Sequence, residues 1–456
     1  MKKYSLIIPA LLICTGAFAA QVKENAPATK PAVKKETAPA TKDCVITLEQ
    51  AYDLTLKSDQ TIRNAYYEIR KANLLPWSAL AKLGPQLTGN ASYTDYRNRT
   101  HNDASSYVES TYDSRYAGFV YTQPLFDPSV FPAYRYGKLS ARAARLQYQY
   151  TVRQTLFGVA QAYYDVLKNQ KLVNVNQQTV DLAKEQLATS QARFDAGAVA
   201  RIDVLRAQST LESARNNLIQ SQGVLDIARD TLSNILNLGG KTNFTLAEPP
   251  NECDLGTPFE ESLKTAYEWR EDFKVSAIGI DQQIALRGEV VAQYGPKISA
   301  EFSTQWTNSA GDTTGRTHND AGVISVQMPF LTGGQREIDL IAANQNIAQS
   351  RLKLETTSKS IESEVKTAWI NVQTGREALK ALTTAVEAST QNYTDVEAQY
   401  QAGASTSLDA QVALRDLNNA RTLLTNQIYN YQIALRDLKR AEAAFEKERV
   451  EKAKIK

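Results

Sequence analysis

Hydrophobic residues recur at every seventh position through two long stretches of the chain. Val152, Val159, Val166, Val173, Val180, Leu187 and Phe194 form one unbroken line, and Val365, Val372, Leu379, Val386, Tyr393 and Tyr400 form another. Past a glycine each line resumes, as Leu211, Leu218, Leu225 and Leu232 and as Leu417, Leu424, Tyr431 and Leu438. A sustained spacing of seven predicts helices wound around neighbours with a left-handed supercoil, because a straight helix would let the seam drift sideways. The companion line turns polar, from Leu156 and Tyr163 to Gln170, Gln177, Lys184 and Gln191. A seam this narrow fits the wall of a water-filled helical tube and equally a solvated two-stranded coil; a helix in a globular core carries a broader stripe.

The glycines explain the interruptions. Gly197 sits in RFDAGAVARIDVL (Arg193 to Leu205) and Gly403 in QYQAGASTSLDAQ (Gln399 to Gln411). A helix from about Ala133 to Ala196 would run ~95 Å and must then turn back, and glycine accepts the positive φ that ends a helix in a tight reversal. Both glycines are therefore predicted as tips of helical hairpins. The descending partner, about Ala200 to Leu238, is short, and an earlier helix, about Asp59 to Leu83, stacked on its end makes up the length.

Superposing the two glycines aligns the rest of the chain at an offset of about 206 residues. AQAYYDVL (160–167) meets KTAWINVQ (366–373), TQPLF (122–126) meets QMPFL (327–331), and LGPQL (83–87) meets YGPKI (294–298). The chain reads as two copies of one unit, residues 44–238 and 259–445, joined by a Gly/Pro-rich hinge at 239–258. Each copy holds one strand pair, near 85–124 and 296–329. Ile298, Ala300, Phe302, Thr304 and Trp306 alternate with Lys297, Ser299, Glu301, Ser303 and Gln305 as a two-faced strand; Leu87, Gly89, Ala91 and Tyr93 do so more weakly, and Ala117, Phe119 and Tyr121 mark a return strand. Pro124 and Pro329 are expected to end the return strands. Four strands of membrane-crossing length cannot close a barrel, and open edges are not tolerated in hydrocarbon, so several chains must share one. An edge hairpin on a soluble coiled coil would leave the aromatic faces unexplained.

Composition refines this. MKKYSLIIPALLICTGAFAA (1–20) reads as a secretory leader; Ile13 before Cys14 speaks against a lipidated cysteine. No later segment has the ~18 apolar residues of a spanning helix. Lys2 and Lys3 belong to the leader, so the formal charge of +3 falls to about +1, which implies no nucleic-acid partner. Residues 21–43 form a Pro/Ala/Lys linker and 446–456 a charged tail expected to fray. Cys44 and Cys253 remain after the leader and are candidates for a disulfide or two separate thiols. The histidines His101 and His318 lie in an exact duplicate, RTHNDA (99–104 and 316–321), expected in the hairpin loops as a metal site, a receptor loop or solvated polar turns. No catalytic motif, metal site or cofactor site is evident.

With the duplication, the two tip motifs, NNARTLLTNQIYNYQIAL (418–435) and the proline closing each strand pair, the chain resembles the outer-membrane efflux protein family, the TolC-like exit ducts of Gram-negative bacteria. The resemblance spans about residues 44–445. It implies a homotrimer with a shared twelve-stranded β-barrel in outer-membrane lipid, a twelve-helix α-barrel across the periplasm, and a mixed equatorial region built from the chain ends and hinge. It also implies a periplasmic adaptor docking at the tips around Gly197 and Gly403 and an inner-membrane pump, hence an exit duct for efflux or type I secretion. Tyr400 and Asp203 match a tyrosine and aspartate that bond across the tip gate, and Asp409 matches an acid that rings the aperture. Ser405 and Val412 depart from the pattern, where a latch arginine and a second acid are usual; Arg201 is a candidate substitute cation. Helix capping is the alternative role for Asp203 and Asp409, and a structural or adhesive coiled-coil protein on a small barrel is the alternative for the whole chain.

Overall fold

The computed structural model describes residues 45–102, 106–240, 242–250, 256–311 and 315–452. Cys44 and Cys253 lie outside them. The first repeat runs β1 (Val45–Ile46), α1 (Leu48–Ser58), α2 (Gln60–Ala81), β2 (Gln86–Asn102), β3 (Ser106–Phe126), α3 (Val130–Asp195) and α4 (Arg201–Ile235). After β4 (Thr245–Leu246) the second runs α5 (Phe259–Trp269), α6 (Glu271–Ala292), β5 (Lys297–Gly311), β6 (Gly315–Gln327), α7 (Gln335–Ala402) and α8 (Ser407–Ala441), and α9 (Lys447–Lys452) closes the chain.

The two long helices, α3 with 66 residues and α7 with 68, are each flanked by shorter helices stacked end to end. Helix α2 follows α4 along one side of α3, the Ser58 hydroxyl reaching the Leu236 carbonyl at the junction. Helix α6 follows α8 between α3 and α7, and Arg270 caps that junction by donating to the Ala441 carbonyl. Residues 45–452 thus contain four helical tracks side by side, the heptad seams facing inward between them. Val152, Val159, Val166, Val365 and Val372 are at most 1 % exposed, while Gln177, Lys184 and Gln191 stay in solvent. Where α3 crosses the proline inside α2 a glycine is required: a Cβ on Gly137 would lie 2.6 Å from the Pro76 nitrogen.

Midway along the helices sits the largest cluster of buried apolar side chains among the described residues. The Tyr163 hydroxyl, fully buried, donates to the carbonyls of Ile46 and Ala247 and so pins the parallel β1–β4 pair to α3. Segment 446–452 does not fray as its charge implied. The backbone takes positive φ at Ala443 and Glu446, Phe445 packs edge-on against Tyr52 and Phe157, and Val450 is 2 % exposed. Arg153 holds the turn by donating to the Ala443 and Phe445 carbonyls and to Glu271. Among the described residues of the tail, Val450 joins this core.

The strands form one antiparallel sheet in the order β2-β3-β5-β6, with the edges of β2 and β6 unpaired in the protomer. Two expectations are corrected here. Arg316–Ala321 lies within β6, and Arg99–Asn102 within β2, so the second hexapeptide and the four described residues of the first are ladder and not loop. Pro124 does not end its strand; it sits inside β3 at a register shift against β5, where a missing N–H is tolerated.

Candidate functional site

The two hairpin tips end alike. Gly197 and Gly403 have φ of +72° and +79°, and in each case the next residue's N–H reaches back five positions, Ala198 to Arg193 and Ala404 to Gln399. This is the glycine-terminated helix end that satisfies the last free carbonyls. Around it the copies diverge. Tyr400 is 1 % exposed and its hydroxyl meets the buried Ser190 hydroxyl of α3 at 3.0 Å. The Arg193 guanidinium lies over the Tyr400 ring, 4.7 Å from the centroid, and donates to the Tyr400 carbonyl. These bonds tie the end of α3 to the end of α7, joining one hairpin tip to the other within a single chain.

Tyr400 and Asp203 are not brought together in the protomer. The tyrosine hydroxyl is turned to Ser190, and Asp203 faces Arg206 one turn along its own helix at 3.8 Å. Asp409 belongs to a capping box: the Thr406 hydroxyl and N–H donate to its Oδ2 at 2.6 and 3.1 Å, and the Asp409 N–H donates back to the Thr406 oxygen. The Thr406 hydroxyl and then its backbone N–H hold the Asp409 carboxyl below its ordinary value, with a smaller contribution from Ser405. In the first copy Ala200 stands where Thr406 stands in the second and offers no side-chain cap, so Asp203 occupies the first turn of α4 without a box. Arg193, Ser190 and Thr406 were not singled out by motif. The readable signal was divergence between the repeats: at the offset of the two glycines, Arg193 faces Gln399, Phe194 faces Tyr400 and Ala200 faces Thr406.

The sheet has the two faces predicted. Leu87, Phe119, Tyr121, Phe302, Ile324 and Val326 share one face by the strand register, with Phe119 and Trp306 edge-on at 6.5 Å. Above them His318 stacks on Trp306, ring centroids 5.0 Å apart, and its Nε2 lies 3.2 Å from both Thr304 and Asp320. Among the described residues no group of three or more His, Cys, Asp or Glu could hold a metal, and no helix is long and apolar enough to cross a membrane. The other face carries hydroxyls and amides.

Membrane-length strands with one apolar face, continuous with helices of 66 and 68 residues, define a protomer of an outer-membrane duct. Residues 51–238 and 263–443 match the outer membrane efflux protein family, one segment in each repeat, and the chain belongs to that family. It is 26% identical to outer membrane protein TolC of Escherichia coli (strain K12) over 416 residues, 87% of this chain and 83% of that protein. It is 23% identical to the alkaline protease secretion protein AprF of Pseudomonas aeruginosa over 407 residues, 85% of this chain and 82% of that one. Among solved structures it resembles the Campylobacter jejuni CmeC outer membrane channel, with a TM-score of 0.73 at 18% identity, covering 93% of this chain and 94% of that one. The fold of CusC is as similar, with a TM-score of 0.73 at 18% identity over 91% of this chain and 98% of the other. The protein is an outer-membrane exit duct of the efflux and secretion type.

Proposed function

We propose that three copies assemble into one passive conduit, each giving four strands to a twelve-stranded barrel and four helical tracks to a twelve-track periplasmic tube. The observation that carries this is the four-stranded sheet with both edges, β2 and β6, unpaired and one face apolar. In hydrocarbon each unpaired strand edge leaves a row of N–H and C=O groups without water, at several kcal/mol per group. Pairing β2 of one copy with β6 of the next removes every edge.

The periplasmic end is the gate. Tyr400, Ser190 and Arg193 clasp the two hairpins, three copies of Asp409 ring the aperture, and Asp203, free of a capping box, is available to a neighbouring copy. The tips at Gly197 and Gly403 present the docking surface for a periplasmic adaptor that links the duct to an inner-membrane pump, drugs or proteins being the cargo. Energy comes from the pump, and the duct performs no chemistry. Native mass spectrometry of the detergent-extracted chain tests the assembly, with planar-bilayer recording beside it: a trimer with ohmic conductance is expected, and a monomer without conductance would overturn the proposal.

A further inference from the structure

We infer that Glu301 is a second determinant of ion preference, a carboxylate ring inside the β-barrel, separate from the acidic tip. This rests on the trimeric conduit just proposed. By the strand register Glu301 lies on the polar face of the sheet, opposite Val323 of β6 and Thr122 of β3. That face is otherwise almost without charge: Asn90, Ser92, Tyr116, Gln305 and Asn319 are typical of it. Asp95, Arg97, Asp113, Arg115, Arg316 and Asp320 all fall on the opposite face. Among the described strand residues only Lys297 shares the polar face with Glu301, and its ammonium is engaged by Asp127 at 3.4 Å. Glu301 is exposed and, among the described residues, has no ion-pair partner. The strand that would adjoin β6 across the subunit seam is β2, which brings neutral Gln86, Thr88 and Asn90 to the same face.

A polar sheet face turns to the lumen when the apolar one faces lipid. Twelve strands about 4.8 Å apart and tilted about 40° give a backbone radius of about 12 Å, which places three Glu301 carboxylates about 8 Å from the axis. That distance lies well within the Debye length of about 30 Å at 10 mM salt and well beyond the length of about 3 Å at 1 M. The ring therefore concentrates cations about five-fold at 10 mM and hardly at all at 1 M. Among the described residues no unpaired positive charge shares its face, so this side chain sets the sign of the field along that stretch of the barrel.

The test is reversal potential of the full chain in planar bilayers under a KCl gradient, in an Asp409→Asn background so that the tip ring is silent. A cation preference near five-fold at about 10 mM, lost at about 1 M, is expected to persist in that background. Glu301→Gln should bring it to within about 1.3-fold of unity, and Glu301→Lys should turn it to anions, both with unchanged conductance at 1 M, which certifies an assembled pore. An unchanged cation preference in Glu301→Gln at 10 mM would overturn the inference while leaving the conduit intact. No conductance from the unaltered chain would overturn the conduit reading, and this inference with it.

Discussion

Arg193 grips Tyr400 twice, through its ring at 4.7 Å and through its backbone carbonyl. The two residues stand at the ends of α3 and α7, so one side chain bridges the two hairpins where each reverses. The hydroxyl is used separately: it bonds the buried Ser190 and seals Tyr400, whereas its repeat counterpart Phe194 is 37% exposed.

On the proposed gate, Arg193→Ala should loosen the tip. Losing a half-buried cation–π contact and a charged hydrogen bond removes about 1–2 kcal/mol, or roughly 5- to 30-fold in the open fraction. Single-channel recording should show longer open dwell times, and amide exchange near residues 398–406 should accelerate. Lys at 193 should restore part of the closure, since an ammonium keeps the charge without the planar fork. Unchanged dwell times in Arg193→Ala would remove the clasp from the gate.

Thr406 and Asp409 separate capping from ring formation. Thr406→Ala loses the cap, at a cost of about 1 kcal/mol, and with it the hydroxyl that depresses the Asp409 pKa. The aspartate pKa should rise towards its ordinary value, so acid should abolish the tip's cation preference at a higher pH than in the unaltered chain. Asp409→Asn abolishes that preference at every pH. A pH series of reversal potentials in a Glu301→Gln background reads both effects.

Much of this was legible beforehand because it depends on period and backbone geometry. A seven-residue repeat that holds for six or seven positions leaves few alternatives, and a glycine between two such repeats marks a reversal with φ of +72° or +79°. Alternation in β5 identified the side chains of the apolar face. What stayed hidden depends on contacts between segments 207 to 292 residues apart. Nothing local marks Arg193 as the partner of Tyr400, or Arg153 as the hub for the Ala443 and Phe445 carbonyls. The hexapeptide with His318 reads as a turn because Thr-His-Asn-Asp carries turn residues, yet it pairs as strand with His318 stacked across on Trp306. The tail misled in the same way, its high charge concealing the burial of Val450.

Two glycines of α3 should respond oppositely to alanine. A Cβ at Gly137 would meet the backbone of α2 at 2.6 Å, and a backbone cannot step aside as a flexible side chain can. Gly137→Ala should cost about 1–3 kcal/mol and impair assembly. Gly158 has nothing within 4 Å of the same construction, so Gly158→Ala should stabilise the helix by about 0.5–1 kcal/mol. Thermal melts of the two variants in detergent, followed by circular dichroism, should move to opposite sides of the unaltered chain.

Glu364 predicts an acid limit for the junction of α6 and α8. Its carboxylate takes Arg270 and Arg440, each at 2.7 Å, and Arg270 is almost wholly buried. Burial alone would favour the protonated form, but the two guanidiniums outweigh it and hold the pKa below the ordinary value of 4.5. The native state then binds fewer protons than the unfolded state in that range. The stability Glu364 contributes is therefore complete above pH 4.5 and is lost as the pH falls through the lower native value. Glu364→Gln should lower stability at neutral pH by about 1–3 kcal/mol, because Arg270 and Arg440 lose their shared anion in a poorly hydrated site. Below the native pKa the two proteins should converge, and melts taken between about pH 7 and pH 3 should show the gap closing. A gap that stays constant across that range would mean that Glu364 acts by shape and not by charge.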